Sequence, residues 1–477
     1  MDLNYLSADE MLGAFRRREL SPVEVLDSLI ERVAKTSEVN AVAEEMFDEA
    51  REVARAAEAR YAGKGPAPRA LEGVPVAVKE EMPIAGRSHR LGSLLTEGNV
   101  ATQTQPMVQR LIDAGAVLHL RTTTPEFSIA VTTHSALWGV TRNPWNLDYS
   151  PGGSSGGSGA ALAAGLAPLA TGSDIAGSIR VPSALCGVVG FRPPYGRVPS
   201  LPPTSLDTYC QDGPMARTVT DCALFQNVIA GPDPVDHASV PAAPPLPTTF
   251  GSCAGLKVAL AVTIGDFPVV PEAAANIERF ASALRDAGAE VTPVEIPITR
   301  QSIMATAMAH YGLLLGPSVR EWAPVDDPRW SRNVLDVVEA CGAALENLGT
   351  LRIAEEEARM HAVLAEIHRD HDAIICPTMA TTGYPADATA AESVELAEGV
   401  RFANLVSQCL TQLFNIASRH PVLNVPSGRA GNGVPTGVQI VARPFDDPTA
   451  FRLGAAAEAR LGLWNDPDWR PGLTHQG

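Results

Sequence analysis

Between Tyr149 and Gly159 the chain reads Ser-Pro-Gly-Gly-Ser-Ser-Gly-Gly-Ser, and the helix-forming run Ala160-Ala-Leu-Ala-Ala164 follows without a break. Alone, such a glycine and serine string is a flexible linker. Its flanks say otherwise, because Asn143-Pro-Trp145 precedes it and an apolar alanine-rich segment follows it. A linker needs no buried setting. A turn that offers backbone N–H groups and hydroxyls at a helix start does, and only small residues allow that close approach. The string is therefore read as a buried turn.

Ser178, twenty-four residues after Ser154, sits in a second small-residue stretch, Gly172-Ser-Asp-Ile-Ala-Gly-Ser-Ile-Arg180. It follows the apolar segment 166–170, so it leaves the end of a strand, where α/β proteins place active-site loops. A serine in a tight turn, with consecutive N–H groups before it, suits a nucleophile beside an oxyanion hole. Taken alone it equally fits an ordinary strand-to-helix turn.

Lys79 ends the apolar run Val74-Pro-Val-Ala-Val78 and precedes Glu80-Glu-Met82. At the end of a buried strand it can reach solvent or pair with Glu80. If it stays buried, its charged form is disfavoured and it becomes a proton acceptor near neutral pH. The chain has only four lysines, Lys35, Lys64, Lys79 and Lys257, among 37 basic residues. Arginine meets the ordinary need for positive charge here. Each of the three elements has a bland reading; their occurrence together, in order, carries the inference.

With 477 residues, 45% hydrophobic and 19% charged, the chain is globular and long enough for a large core. A net charge of −17 disfavours a phosphate-backbone partner, so no nucleic acid is expected. No apolar run approaches the roughly 20 residues of a membrane helix. Met1-Asp-Leu-Asn-Tyr-Leu6 lacks the basic-then-apolar order of a secretory signal, and a cytoplasmic location is expected. The seven cysteines contain no C-x-x-C pair, which disfavours disulfides and a thiolate metal site. His368 and His371, without a third ligand nearby, read as a solvated helix face. No metal or cofactor is expected.

Residues 1–63 read as helical, with capping boxes at Ser7/Glu10 and Ser21/Glu24 and a helix over 43–62. From Gly73 strands alternate with helices: strands over 74–78, 116–120, 255–262, 290–296, 371–376, 422–425 and 437–441, with helices over 106–114 and 449–461 among the connections. This alternation predicts one α/β domain spanning 1–477, with a mixed, largely parallel central sheet covered by helices on both faces. Within it, 64–232 carries the unusual motifs, 233–254 is a proline-rich surface loop, and 255–477 supplies the remaining sheet and helices.

The segments from Gly73 to Lys79, Thr141-Arg-Asn-Pro-Trp-Asn146, Pro151-Gly-Gly-Ser-Ser-Gly-Gly-Ser158 and Gly172 to Arg180 resemble the amidase-signature family of serine hydrolases. Cys186-Gly-Val-Val-Gly-Phe-Arg-Pro193, Gly213-Pro-Met-Ala-Arg217 and Gly433-Val-Pro-Thr-Gly-Val-Gln-Ile-Val-Ala-Arg-Pro444 extend the resemblance over nearly the whole chain. It implies that Ser178 is the nucleophile, Lys79 the general base, and Ser154, in a cis peptide, the bridge between them. It implies an oxyanion hole from the N–H groups of Ile175, Ala176, Gly177 and Ser178, braced by Ser173, Asp174 and Arg180. The sequence departs from the family at Lys79-Glu-Glu81, where Lys-Asp-Asn is common, and at Ala176, where glycine is frequent. Neither change removes a reacting group.

The expected reaction is cleavage of an uncharged, partly hydrophobic amide, or of an aryl amide, carbamate or ester, through an acyl-enzyme. Segments 127–135 and 201–212, with Met304, Met308, Tyr311, Phe402 and Leu405 on helices, are the candidate pocket. Ser128, Tyr209 and Met304 are its substrate-binding candidates. Other readings stay open: a glutaminase subunit of a tRNA-dependent amidotransferase, a G-x-S-x-G esterase built on Gly152-Gly-Ser-Ser-Gly156, and a non-catalytic binding protein. Thr124-Pro-Glu-Phe-Ser128 resembles free-standing amidases more than the glutaminase of the amidotransferase. A homodimer is compatible with the sequence.

Overall fold

Apolar runs bounded by glycine fold into strands, and amphipathic segments with capping signals fold into helices. The computed structural model describes residues 2–389, 393–395 and 401–473. Its strands, in chain order, are β1 (Val42–Glu45), β2 (Pro75–Lys79), β3 (Val117–Thr122), β4 (His134–Ser135), β5 (Gly139–Val140), β6 (Leu169–Asp174), β7 (Val189–Arg192), β8 (Gln211–Ala216), β9 (Lys257–Leu260), β10 (Glu290–Pro293), β11 (Ala373–Pro377), β12 (Val394–Glu395), β13 (Arg401–Phe402), β14 (Val422–Arg429) and β15 (Pro435–Ala442). Eleven of them form one sheet in the order β1-β3-β2-β6-β8-β7-β14-β15-β11-β9-β10.

The sheet is mixed, as expected. Parallel pairing joins β3, β2 and β6 on one flank and β11, β9 and β10 on the other. The strands between, from β6 through β8, β7, β14 and β15 to β11, pair antiparallel. Antiparallel neighbours such as β14 and β15 need only a short turn, so no crossover helix announces them in the sequence.

Both N-terminal capping boxes are formed. They start α1 (Ala8–Arg17) and α2 (Pro22–Lys35), with Ser7 and Glu10, then Ser21 and Glu24, exchanging reciprocal hydrogen bonds. The helix expected over 43–62 begins later, as α3 (Phe47–Tyr61), because Val42, Glu44 and Glu45 pair antiparallel with β3. A partner far away in sequence overrides the helical preference of Ala and Glu there. The candidate pocket residues Phe402 and Leu405 lie in β13 and in a short 3-10 turn, not on long helices.

Strand alternation divides the core into two layers. Val76 and Val78 of β2 pack with Leu169, Phe191, Leu423 and Ile440 under α7 (Val219–Ile229) and α8 (Pro271–Asp286). Ala77 and Ala170 face the other way, onto α5 (Gly156–Ala163), with α6 (Arg180–Cys186) beside it, while Met107, Val108 and Leu111 of α4 (Pro106–Asp113) join the first layer with α7. On the far flank Ile374 and Val441 meet Ile303 of α9 (Arg300–Tyr311) and Met360. Helices thus cover both faces. Alternation also places Lys79 on the Ala77 side, toward the start of α5.

His368 corrects another expectation. It is buried and stacked on His420, ring centroids 5.0 Å apart, and burial pushes the two imidazoles down to about 4 and about 3. A three-residue spacing brings two histidines near one another on a helix but does not say which side faces the sheet. Among the described residues, no helix is long and apolar enough to cross a membrane.

Candidate active site

The site forms where three strands end or begin together. β2 and β6 are parallel neighbours, with Val76 opposite Leu169 and Ala77 opposite Ala170, so their carboxyl ends emerge side by side at Lys79 and Asp174. β8 runs back from the same edge and sets Asp212 opposite Ser173. The Gly/Ser turn meets this edge before entering α5. Two of its contacts tie it to the Ser178 loop: the Ser155 N–H donates to the Ser178 carbonyl at 3.2 Å, and the Ser173 N–H to Ser155 Oγ at 3.3 Å. The peptide between Gly153 and Ser154 is cis. A side chain on Gly153 would collide with the Thr132 carbonyl, so glycine is required.

Lys79 is fully buried. Its Nζ lies 2.7 Å from Ser154 Oγ, 2.8 Å from Ser173 Oγ and 2.6 Å from Glu81 Oε2. The ion-pair partner is therefore Glu81 rather than Glu80: β2 ends at Lys79 and the chain turns at once, the Met82 N–H donating to the Lys79 carbonyl at 2.9 Å, which brings Glu81 back over the lysine. Glu80 turns away, accepts from the Arg90 N–H at 2.6 Å and lies 3.7 Å from Arg121. In the sequence Glu81 stands out only as a departure from the family pattern. Its spacing from the lysine is the signal that could have found it.

Ser178 opens the turn into α6 and is 6% exposed. Among the described residues its Oγ makes no hydrogen bond. Gly177 adopts φ +116°, and a Cβ there would strike the Thr411 side chain, so this position also requires glycine. The Tyr311 hydroxyl donates to the Ile175 carbonyl at 3.1 Å and the Thr411 hydroxyl to the Ala176 carbonyl at 2.6 Å. With these carbonyls tied back, the N–H groups of Ile175, Ala176 and Ser178 form no hydrogen bond among the described residues. The Gly177 N–H differs, donating to Asp174 Oδ1 at 2.9 Å.

Asp174 and Arg180, both fully buried, hold this loop. Arg180 donates from Nε and Nη2 to the two carboxylate oxygens at 2.9 and 2.8 Å, and Asn415 Nδ2 donates to Oδ1 at 2.9 Å. Burial raises the Asp174 carboxyl, but the Arg180 charge and hydrogen bonds, helped by Arg192, outweigh this and hold it below the usual carboxylate range. Removing one partner of such a pair strands the other charge in the core. Arg180→Ala is expected to cost about 3–5 kcal/mol in urea unfolding. A loss under about 1 kcal/mol would mean that the loop does not depend on the pair.

The three substrate-binding candidates are placed differently. Ser128 Oγ lies 2.9 Å from Thr124 Oγ1, which donates to the Ser154 carbonyl at 3.4 Å, and the Ser128 hydroxyl is among the groups that lower the Glu81 carboxyl. Phe127 and Ser128 hold φ of 50° and 58°, a left-handed pair costly for non-glycine residues and found near functional sites. Tyr209 is 1% exposed. It stacks on His310 with centroids 3.5 Å apart, and its hydroxyl donates to Glu357 at 2.6 Å. Burial lowers His310, yet Asp207 at 2.9 Å and Glu357 raise it to about 8. Tyr209 thus braces a wall. Met304 is half-buried about two turns before Tyr311 on α9, and it is Tyr311 whose hydroxyl hydrogen-bonds the loop.

The sequence profile of the amidase family matches residues 24–451. The acylamidase of Rhodococcus erythropolis is 33% identical over 478 residues, covering 98% of this chain and 97% of that protein. A glutamyl-tRNA(Gln) amidotransferase subunit of Roseiflexus sp. (strain RS-1) is 34% identical over 494 residues, covering 97% and 98%. The crystal structure of a bacterial aryl acylamidase of the amidase-signature enzymes matches with TM-score 0.88 at 27% identity, over 97% of both chains. Fold and relatives define a hydrolase of carbon–nitrogen bonds. The chain belongs to the amidase (amidase-signature) family.

Proposed function

We propose that this enzyme hydrolyses a small, uncharged, partly hydrophobic amide through Ser178, Ser154 and Lys79. The observation that carries the reading is the 2.7 Å contact between Ser154 Oγ and the Nζ of a lysine with no exposure to water. Ser178 Oγ attacks the amide carbon while its proton passes to Ser154, and the Ser154 proton passes to neutral Lys79. The N–H groups of Ile175, Ala176 and Ser178 receive the oxyanion. The proton returns to the departing amine, and water then hydrolyses the acyl-serine by the same route.

An aromatic wall beside Ser128 supports the hydrophobic part of the substrate. Phe127 packs against Trp322 and Trp330 with centroids 6.0 and 5.5 Å apart, and Trp322 is 39% exposed. The relative named as an acylamidase supports the same class. The amidotransferase reading draws on relatives at similar identity. The esterase reading is weaker, because Ser154 is bound to a lysine, and among the described residues no histidine hydrogen-bonds Ser154, Ser155, Ser158 or Ser178.

Purified protein alone, in EDTA, is expected to cleave anilides and hydrophobic amides, with carbamates and esters as further substrates. Trp322→Ala should raise KM for aryl amides several-fold, with a smaller effect on kcat. Glutamine hydrolysis only in the presence of a partner protein, with no anilide cleavage, would overturn the reading in favour of the amidotransferase.

A further inference from the structure

We infer that Glu81 is a positioning residue that both fixes the direction of the Lys79 lone pair and sets the pH at which the enzyme becomes active. This rests on Lys79 being the base. An ammonium group has three donors and no acceptor. Lys79 Nζ has three acceptors in reach: Ser154 Oγ at 2.7 Å, Ser173 Oγ at 2.8 Å and Glu81 Oε2 at 2.6 Å. The Ser173 hydroxyl in turn donates to Glu81 Oε2 at 2.7 Å, closing a triangle.

The triangle determines what happens when the lysine loses a proton. A neutral amine keeps two N–H donors and gains one lone pair, so one neighbour has to become a donor. Glu81 is ionised and only accepts. Ser173 has a single hydroxyl proton, committed to Glu81. Ser154 is the neighbour left to turn from acceptor to donor, which aims the lone pair along the route from Ser178. The same carboxylate favours the charged form of Lys79, so it opposes formation of the active base. Burial raises the Glu81 carboxyl, but the Lys79 charge, with hydrogen bonds from Lys79 and Ser173 and help from the Ser128 hydroxyl, outweighs this and keeps it below the usual range. Glu81 is therefore a constant negative charge across any neutral or alkaline assay.

Other titratable groups face this pair. Asp212 on β8, held by Gln105 Nε2, is pushed up to about 6 by burial and feels both Glu81 and Lys79. Burial raises the Cys210 thiol well above its ordinary range. His89, its Nε2 2.7 Å from the Glu81 carbonyl, is pushed down by burial and stays neutral. Asp212 is the second group that titrates near neutrality, so it needs its own control. The α5 side presents the uncharged Ser154.

The test is the pH profile of kcat/KM on one anilide for wild type, Glu81→Gln, Glu81→Asp, Asp212→Asn and Lys79→Ala, with melting temperatures for each. Glu81→Gln keeps a polar side chain but removes the charge, so the acid limb should move to lower pH by roughly one to three units. Glu81→Asp should fall between Glu81→Gln and wild type, and Asp212→Asn, which removes a charge that acts on Lys79 without contacting it, should move the limb less than Glu81→Gln does. A Glu81→Gln enzyme that is slower at every pH with an unmoved limb would overturn the inference. If Glu81→Gln does not fold, an unmoved limb in Glu81→Asp overturns it equally. Activity surviving in Lys79→Ala would instead remove the base assignment, a separate failure.

Discussion

Ser178→Ala is expected to lower turnover by about four to six orders of magnitude while leaving the melting temperature nearly unchanged. The size follows from the nucleophile and its base acting as a unit, so that loss of the nucleophile costs about as much as loss of the whole relay. The unchanged stability follows from the environment. Ser178 Oγ makes no hydrogen bond among the described residues, so the substitution strands no partner, and the loop is held by Asp174, Arg180, Thr411 and Tyr311. A fluorophosphonate should label Ser178 in wild type and nothing in the variant. Labelling at Ser155 or Ser158, or residual turnover within about tenfold of wild type, would move the nucleophile elsewhere.

Much of this was legible in the sequence where short-range chemistry decides. The run before Lys79 becomes β2 because its alternate valines supply one core layer and Ala77 the other. Gly153 and Gly177 are fixed by close approach of the Thr132 carbonyl and the Thr411 side chain, which only a glycine survives. Long-range pairing was less legible. β1 is a half-buried edge strand of Val, Ala and Glu whose state comes from β3. β8 contains Gly213 and Pro214, which argue locally against a strand, yet it pairs with both β6 and β7. The buried stack of His368 on His420 joins a helix to the segment before β14, a contact that no local spacing encodes.

The site followed the same division. The order of Lys79, Ser154 and Ser178 could be read from motifs, but their convergence depends on β2 and β6 being parallel neighbours. Thr411 and Asn415, which hold the Ser178 loop, come from more than 230 residues away. No motif marks them. Glu81 shows the limit most clearly: the departure was visible, but only the fold reveals that its carboxylate meets the lysine.

Lys79→Arg is the second large effect and the central test, because it separates a neutral base from a fixed cation. Arginine keeps the positive charge that Glu81 and Ser173 contact, but its guanidinium stays protonated and accepts no proton. If Lys79 acted only through charge, arginine would preserve much of the rate. If it is the base, Lys79→Arg should be nearly as inactive as Lys79→Ala, with kcat/KM down by at least about four orders of magnitude. Ser154→Ala should lose less, since a water can bridge part of the relay. The deciding measurement is kcat/KM for Lys79→Arg against wild type on one anilide, across neutral to alkaline pH, in folded protein. Near-complete loss at every pH is the predicted result; activity within about a hundredfold of wild type would contradict the neutral-base mechanism and leave Lys79 a structural or electrostatic residue.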